Sequence, residues 1–258
     1  MKNILSLIIL AGLLMAASCG KEPPPPVDTA TIQLSFRATY AGEPLVLNQQ
    51  TYDYQGKKIR FSKINFYLAN LAAANDDGET ELSEIQFIDL SLTHNSASDA
   101  AKGTTLNFSR IPVGTYKFLK FGIGVSADLN KTNPSDYSTS HPLGADNSGE
   151  YWEAWNSYIF AKIEGQFDED GSGDFDGNDI SFAYHAGMDR VYQEDIEFDK
   201  ILNLNAGETT NLDFELDIRT LFTQPRGDLL DLKSHDPNNQ IGEMIIIMEN
   251  FRKALQLK

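Results

Sequence analysis

Cysteine is nearly missing: one residue in 258, so no intrachain disulfide and no thiolate metal cage can form. Basic residues are scarce too, with 21 Lys plus Arg against 37 Asp plus Glu and a formal net charge of −16. A chain so acidic repels phosphate backbones, which argues against nucleic acid as a partner and favours cations as ligands or counterions. No apolar run reaches membrane-spanning length: the longest, Ile4 to Ala17, has about 14 residues where a spanning helix needs ~20. There is no internal repeat and no nucleotide-binding loop, since the glycines of Phe121-Gly122-Ile123-Gly124-Val125 sit in a strand pattern with no helix after it. What is present is ordinary globular composition, 41 % hydrophobic and 22 % charged, which excludes disorder, collagen and coiled coil for most of the chain. The length suffices for a substantial core.

The apolar run is the centre of a secretory signal, preceded by Lys2 and followed by small residues. Cys19 directly follows Ala16-Ala17-Ser18, where a lipobox places the residue that becomes lipid-modified. Residues 1–19 therefore read as a lipoprotein signal ending in the lipobox cysteine. Residues 20–30 read as a linker, because four consecutive prolines, Pro23 to Pro26, favour stiff extended geometry. This plan predicts a domain at 31–258 tethered to a bacterial membrane, in the periplasm or facing outward.

That domain reads as all-β, an antiparallel β-sandwich with a short C-terminal helical or mixed segment. Ile32, Leu34 and Phe36 alternate with polar neighbours, as do Leu212, Phe214, Leu216 and Ile218. Similar stretches are Arg60–Leu71, Ile85–Leu92, Tyr116–Val125, Ser157–Phe167, Ile180–Tyr184 and Asp195–Leu204, separated by Asp-Gly and Pro-Val-Gly turns. Helical spacing is confined to a turn near Thr220–Phe222 and to Ile241–Leu255.

The sharpest local signal is acidic. Residues 168–179, Asp-Glu-Asp-Gly-Ser-Gly-Asp-Phe-Asp-Gly-Asn-Asp, match a twelve-residue calcium loop. Asp168, Asp170, Ser172 and Asp176 occupy ligand positions one, three, five and nine. Asp174 offers its carbonyl at seven, and Gly173 stands where the chain must turn sharply. Position twelve is Asp179, one methylene shorter than the usual Glu. The flanks are strand-like, so the expected element is a metal-stiffened hairpin tip and not a helix–loop–helix sensor.

The second signal is aromatic. Trp152 and Trp155, the only tryptophans, precede a strand; His141 lies upstream of them and His185 lies in the strand after the acidic loop. Imidazole is the usual biological ligand for copper or zinc. If the acidic loop joins two antiparallel strands, His185 approaches the Trp155 end provided that a bulge intervenes.

These segments, in this order, resemble the MbnP-like family of copper-binding proteins. The resemblance rests on Ile59–Asn70, on Gly114-Thr115-Tyr116 with Phe121–Val125 and Asn130, and on Pro142-Leu143 before the tryptophans. It continues through Trp152, Trp155, Ser157–Phe160 and Glu164-Gly165 to Phe182 and His185-Ala186-Gly187. What it implies is a copper site of histidines and a tryptophan oxidised to kynurenine by a dihaem partner enzyme. Trp155 or Trp152 would be the modified residue, His185 and His141 the ligands, and His235 a further candidate. Two other readings compete. One is a calcium-stabilised sandwich for surface adhesion or glycan binding, with the tryptophans as a stacking platform. The other is a carboxylate-dependent hydrolase using Glu150, Glu153 or Glu164, whose spacing singles out no pair; a binding protein is favoured over an enzyme.

Overall fold

The computed structural model describes residues 28–232 and 241–258. The signal segment with Cys19, the proline run and His235 lie outside the described residues. In chain order the strands are β1 (Thr29–Tyr40), β2 (Glu43–Pro44), β3 (Tyr52–Tyr54), β4 (Lys57–Asn75), β5 (Gly78–Asp89), β6 (Thr104–Pro112) and β7 (Gly114–Ile123). They continue as β8 (Tyr151–Trp152), β9 (Ser157–Phe167), β10 (Ile180–Gly187), β11 (Gln193–Leu204), β12 (Thr209–Asp217) and β13 (Leu255–Leu257). The helices are α1 (Ala97–Ala100), α2 (Ile218–Leu221) and α3 (Ile241–Ala254).

Two sheets pack face to face. The smaller runs β13-β12-β1-β2, with β6 also on β1; the larger runs β10-β9-β4-β7-β11, with β3 and β5 on β4 and β8 on β9. Alternation in β1 buries Ile32, Leu34 and Phe36 toward the larger sheet. Phe36 stacks on Phe214 of the neighbouring strand at 4.9 Å. It also meets Phe66 of β4 and Phe121 of β7 edge-on, at 6.2 and 6.4 Å, across the sandwich. Rings of this size fill the inter-sheet gap with offset and edge contacts, which is why alternating aromatics specify this layer. Helix α3 buries Met244, Ile247, Met248 and Phe251, spaced three and four apart, and sets Phe251 against Phe66 at 5.4 Å.

The structure departs from a wholly antiparallel sandwich at one place: β1 and β12 pair in parallel, from Thr31↔Thr209 to Thr39↔Asp217. A parallel pair requires a long crossover, and here most of the chain serves as one. The helix runs into β13 at Leu255. Strand β6 alternates from Thr104 to Ser109 and breaks at Arg110, whose φ is 64°, where its pairing with β1 shifts between Ala30 and Ile32.

Candidate metal centres

Both candidate sites belong to one antiparallel hairpin, β9–β10. Phe167 pairs with Ile180, so residues 168–179 form the connecting loop, and the ladder runs back through Glu164↔Ala183 and Lys162↔His185.

At the loop end, Asp168, Asp170 and Asp179 each place a carboxylate oxygen within 4.8 Å of the others. Backbone amides hold them in place. Gly173 N–H donates to Asp168 Oδ2 at 3.0 Å, Ser172 N–H to Asp170 Oδ1 at 2.9 Å, and Glu169 and Asp176 N–H to the two oxygens of Asp179 at 3.0 and 2.7 Å. The amide of Ser172 holds the Asp170 carboxyl below its usual range. Gly173, at a φ of 88°, makes the sharp turn that brings its amide to Asp168. Asp168 is 2 % exposed, and its Oδ1 has no hydrogen-bond partner. A buried carboxylate oxygen without a donor is costly unless a cation meets it. A hard, oxygen-seeking ion fits this donor set. Asp176 is turned to the N–H of Asn178, while the Ser172 hydroxyl lies 3.4 Å from the Asp174 carbonyl. Phe175 is half-buried beneath the Arg60 guanidinium, 4.4 Å from its ring centre.

Toward the other end, a tight turn folds the tryptophans back over β10. Tyr151 and Trp152 pair with Tyr158 and Ser157, a 3₁₀ turn spans Glu153–Trp155, and Asn156 closes it at a φ of 49°. Trp152 and Trp155 stack at 4.6 Å, and the Trp152 ring stands edge-on to the His185 imidazole at 6.4 Å. The ladder from the loop to His185 is unbroken and shifts register only beyond it, between Ala186 and Gly187, so it is the turn at Glu153–Asn156, not a bulge, that brings Trp152 to His185. A Cβ on Gly187 would sit 2.8 Å from the Tyr158 carbonyl oxygen and 3.2 Å from the Trp155 ring, so only glycine lets Trp155 lie this close. Asn130 supports the turn from behind. It accepts from Tyr158 N–H at 2.9 Å and from the Ser157 hydroxyl at 3.1 Å, and donates to Asp189 at 2.8 Å.

His185 Nε2 lies 2.8 Å from Glu164 Oε1, and this bond holds the Glu164 carboxyl below its ordinary range. A carboxylate on one imidazole nitrogen fixes the tautomer and raises the basicity of the other nitrogen, the arrangement common behind metal-ligating histidines. His141 is placed differently. Its ring stacks on Tyr137 at 4.2 Å, and its Nδ1 accepts from Leu143 N–H at 3.1 Å; none of these contacts reaches His185. The fourth histidine, His94, is fully buried, with Nε2 accepting from Ala38 N–H at 2.9 Å and Nδ1 3.0 Å from the Leu90 carbonyl. It is a structural residue.

Beneath this site lie polar groups of which sequence reasoning named Glu150 only as a possible hydrolase carboxylate and passed over Lys162 and Asn65. Lys162 and Asn65 are buried and directly paired across β4–β9, and Glu150 is buried against both. The visible trace was Lys162 inside the apolar run Tyr158–Ile163 of β9.

The fold and these sites define a β-sandwich whose β9–β10 hairpin carries one cluster of metal-compatible carboxylates in its loop and, on β10, a carboxylate-backed histidine beside a tryptophan pair. Its family is settled by sequence: residues 29–242 match the model of the MbnP family, and the chain belongs to that family. The relation makes it kin to copper-related, extracytoplasmic proteins. Among solved structures it is similar to MbnP from Methylosinus trichosporium, at 17 % identity and a TM-score of 0.49, over 76 % of this chain and 78 % of that one. No curated protein matches the sequence.

Proposed function

We propose that this protein is a lipid-anchored, extracytoplasmic copper-binding protein, a binder and not an enzyme, whose acidic loop is stiffened by calcium. The observation that carries the copper reading is the convergence of Trp152, Trp155 and the Glu164-backed His185 on one patch. An indole nitrogen is a donor only and offers copper no lone pair. Oxidation of one tryptophan to kynurenine replaces it with an aniline nitrogen and a carbonyl, and the ring beside His185 is Trp152. The dihaem partner implied by the family supplies the oxidising equivalents. With few donors, the site suits monovalent copper, which tolerates low coordination. His185 would bind the ion through the nitrogen opposite Glu164, with the kynurenine donors beside it. His141 would join only by leaving Tyr137.

The calcium reading rests on the orphaned Asp168 oxygen. Asp168, Asp170 and Asp179 would hold the ion, together with Ser172, the Asp174 carbonyl and Asp176. The anchor reading rests on Cys19 and its flanks; a fatty-acid probe should label wild-type cells and not Cys19→Ser cells.

Copper titration tests the main reading. Protein from its own host should bind more tightly than protein from a foreign host. Its mass should show loss of one carbon and gain of one oxygen on the peptide holding Trp152 and Trp155. His185→Ala should abolish binding in both preparations. Wild-type affinity in that variant would leave His185 a structural histidine.

A further inference from the structure

Glu150 is the last residue before the strand that carries Trp152, and it is 4 % exposed. A carboxylate this deep needs compensation, and three side chains of the sheet supply it. Lys162 Nζ lies 2.9 Å from Oε2, off the directions of a hydrogen bond, so that oxygen is charge-paired without a true donor. The same ammonium donates to the Gly149 carbonyl at 2.5 Å. Asn65 Nδ2 donates to Oε1 at 3.1 Å, and Lys63 adds a cation at 3.6 Å from Oε1.

The register gives these contacts their meaning. Asn65, Lys162 and His185 stand opposite one another on β4, β9 and β10, forming one row across the sheet face. Glu150 therefore plugs the segment 145–155 onto the row that ends in His185. Its position on the chain, two residues before Trp152, transmits that attachment to the indole pair. The surrounding charges are balanced: Lys63 and Lys162 face Glu150 and Glu164, with His185 bonded to the latter.

We infer that Glu150 and Lys162 are positioning residues, a buried ionic clasp that sets the Trp152–Trp155 pair over His185. This rests on the copper reading for its functional consequence, but the geometry it asserts is measurable without metal. Two indoles stacked at 4.6 Å couple their transitions, so metal-free protein should give an exciton couplet in circular dichroism. Lys162→Met strands a buried carboxylate and should release the segment: the couplet should collapse while the β-sheet signal persists. Glu150→Gln keeps the shape and the Asn65 bond, loses the charge pairing, and should weaken the couplet with little risk to folding. Lys162→Arg retains the cation and should restore most of it. Copper affinity, measured by competition with a chromophoric chelator, should fall at least tenfold in Lys162→Met and recover in Lys162→Arg. A folded Lys162→Met or Glu150→Gln with a full couplet would overturn the clasp, even if its melting temperature were lower. Loss of the couplet with undiminished copper affinity would confirm the clasp but overturn its role at the metal site. Failure of wild type to bind copper would remove the copper reading, leaving the couplet to decide the clasp.

Discussion

Asp168→Asn separates a metal site from a simple turn, because the two readings predict opposite signs. In wild type without metal, the carboxylates of Asp168 and Asp179 lie within 4.8 Å of each other. At an effective dielectric of about 20 such a pair repels by roughly 3.5 kcal/mol before screening, and solvent on the half-exposed Asp179 side reduces this to about 1 kcal/mol. The amide removes that repulsion, keeps an oxygen for the Gly173 N–H, and presents its NH₂ to the neighbouring carboxylates. In chelator, then, Asp168→Asn should be more stable than wild type by about 1 kcal/mol. In calcium at a hundredfold excess over Kd, wild type gains about 2.7 kcal/mol, or about 5–11 °C in Tm for a domain of this size. The variant should lose most of that gain. Melting curves of both proteins in calcium and in chelator should therefore change order between the two conditions. A wild-type Tm indifferent to chelator, or a variant destabilised equally in both buffers, would refute the reasoning.

His94 gives a pH dependence of definite sign. Burial pushes its pKa below the ordinary value, and a second ring proton would displace the Ala38 N–H, so the unfolded chain binds more protons as acidity rises. Its contribution is complete above about pH 6.5 and is lost as pH falls below that value. Urea titrations from about pH 8 to pH 5 should show this slope in wild type and not in His94→Gln; parallel curves would exclude His94 as its source. Gly187→Ala should push Trp155 off β10, at about 1–3 kcal/mol in stability, and weaken copper binding roughly tenfold. Titration and melting of that variant check both numbers, and an unchanged copper affinity would show that Trp155 need not lie on the strand.

Local chemistry made much of this legible in the sequence. Alternation placed Ile32, Leu34 and Phe36 on a core face, and Asp-Gly steps between two strand patterns marked the β9–β10 hairpin. Counting residues from the loop pointed to a bulge as the way to bring His185 to the tryptophans, but the ladder is unbroken up to His185 and the turn at Glu153–Asn156 does it instead. What could not be read depends on contacts remote in sequence. Nothing near Thr31 announces a parallel partner at Thr209. Lys162 looks like an outward lysine until the segment ending in Glu150 covers its face, and His94 shows no local sign of its distant donor, Ala38. Site residues defined by type and spacing are visible early; those defined by what is folded over them are not.

The parallel pairing of β1 with β12 also governs how the domain can assemble. The strand that opens the domain finds its central partner 178 residues later, at Thr31↔Thr209. During synthesis at ~5–20 residues per second, β1 therefore waits roughly 10–35 seconds with one edge open. The antiparallel strand β6 can cover its other edge much sooner, since Phe36 pairs with Thr104. Loop closure on this scale makes for slow, non-local folding. A chain stopped short of β12 would complete the larger sheet but leave β1 as an exposed template for another molecule. Completion of the smaller sheet thus reports that nearly the whole domain has been made; a shortened copy would still carry the β9–β10 hairpin, with its acidic loop and His185, but keep an open edge on β1.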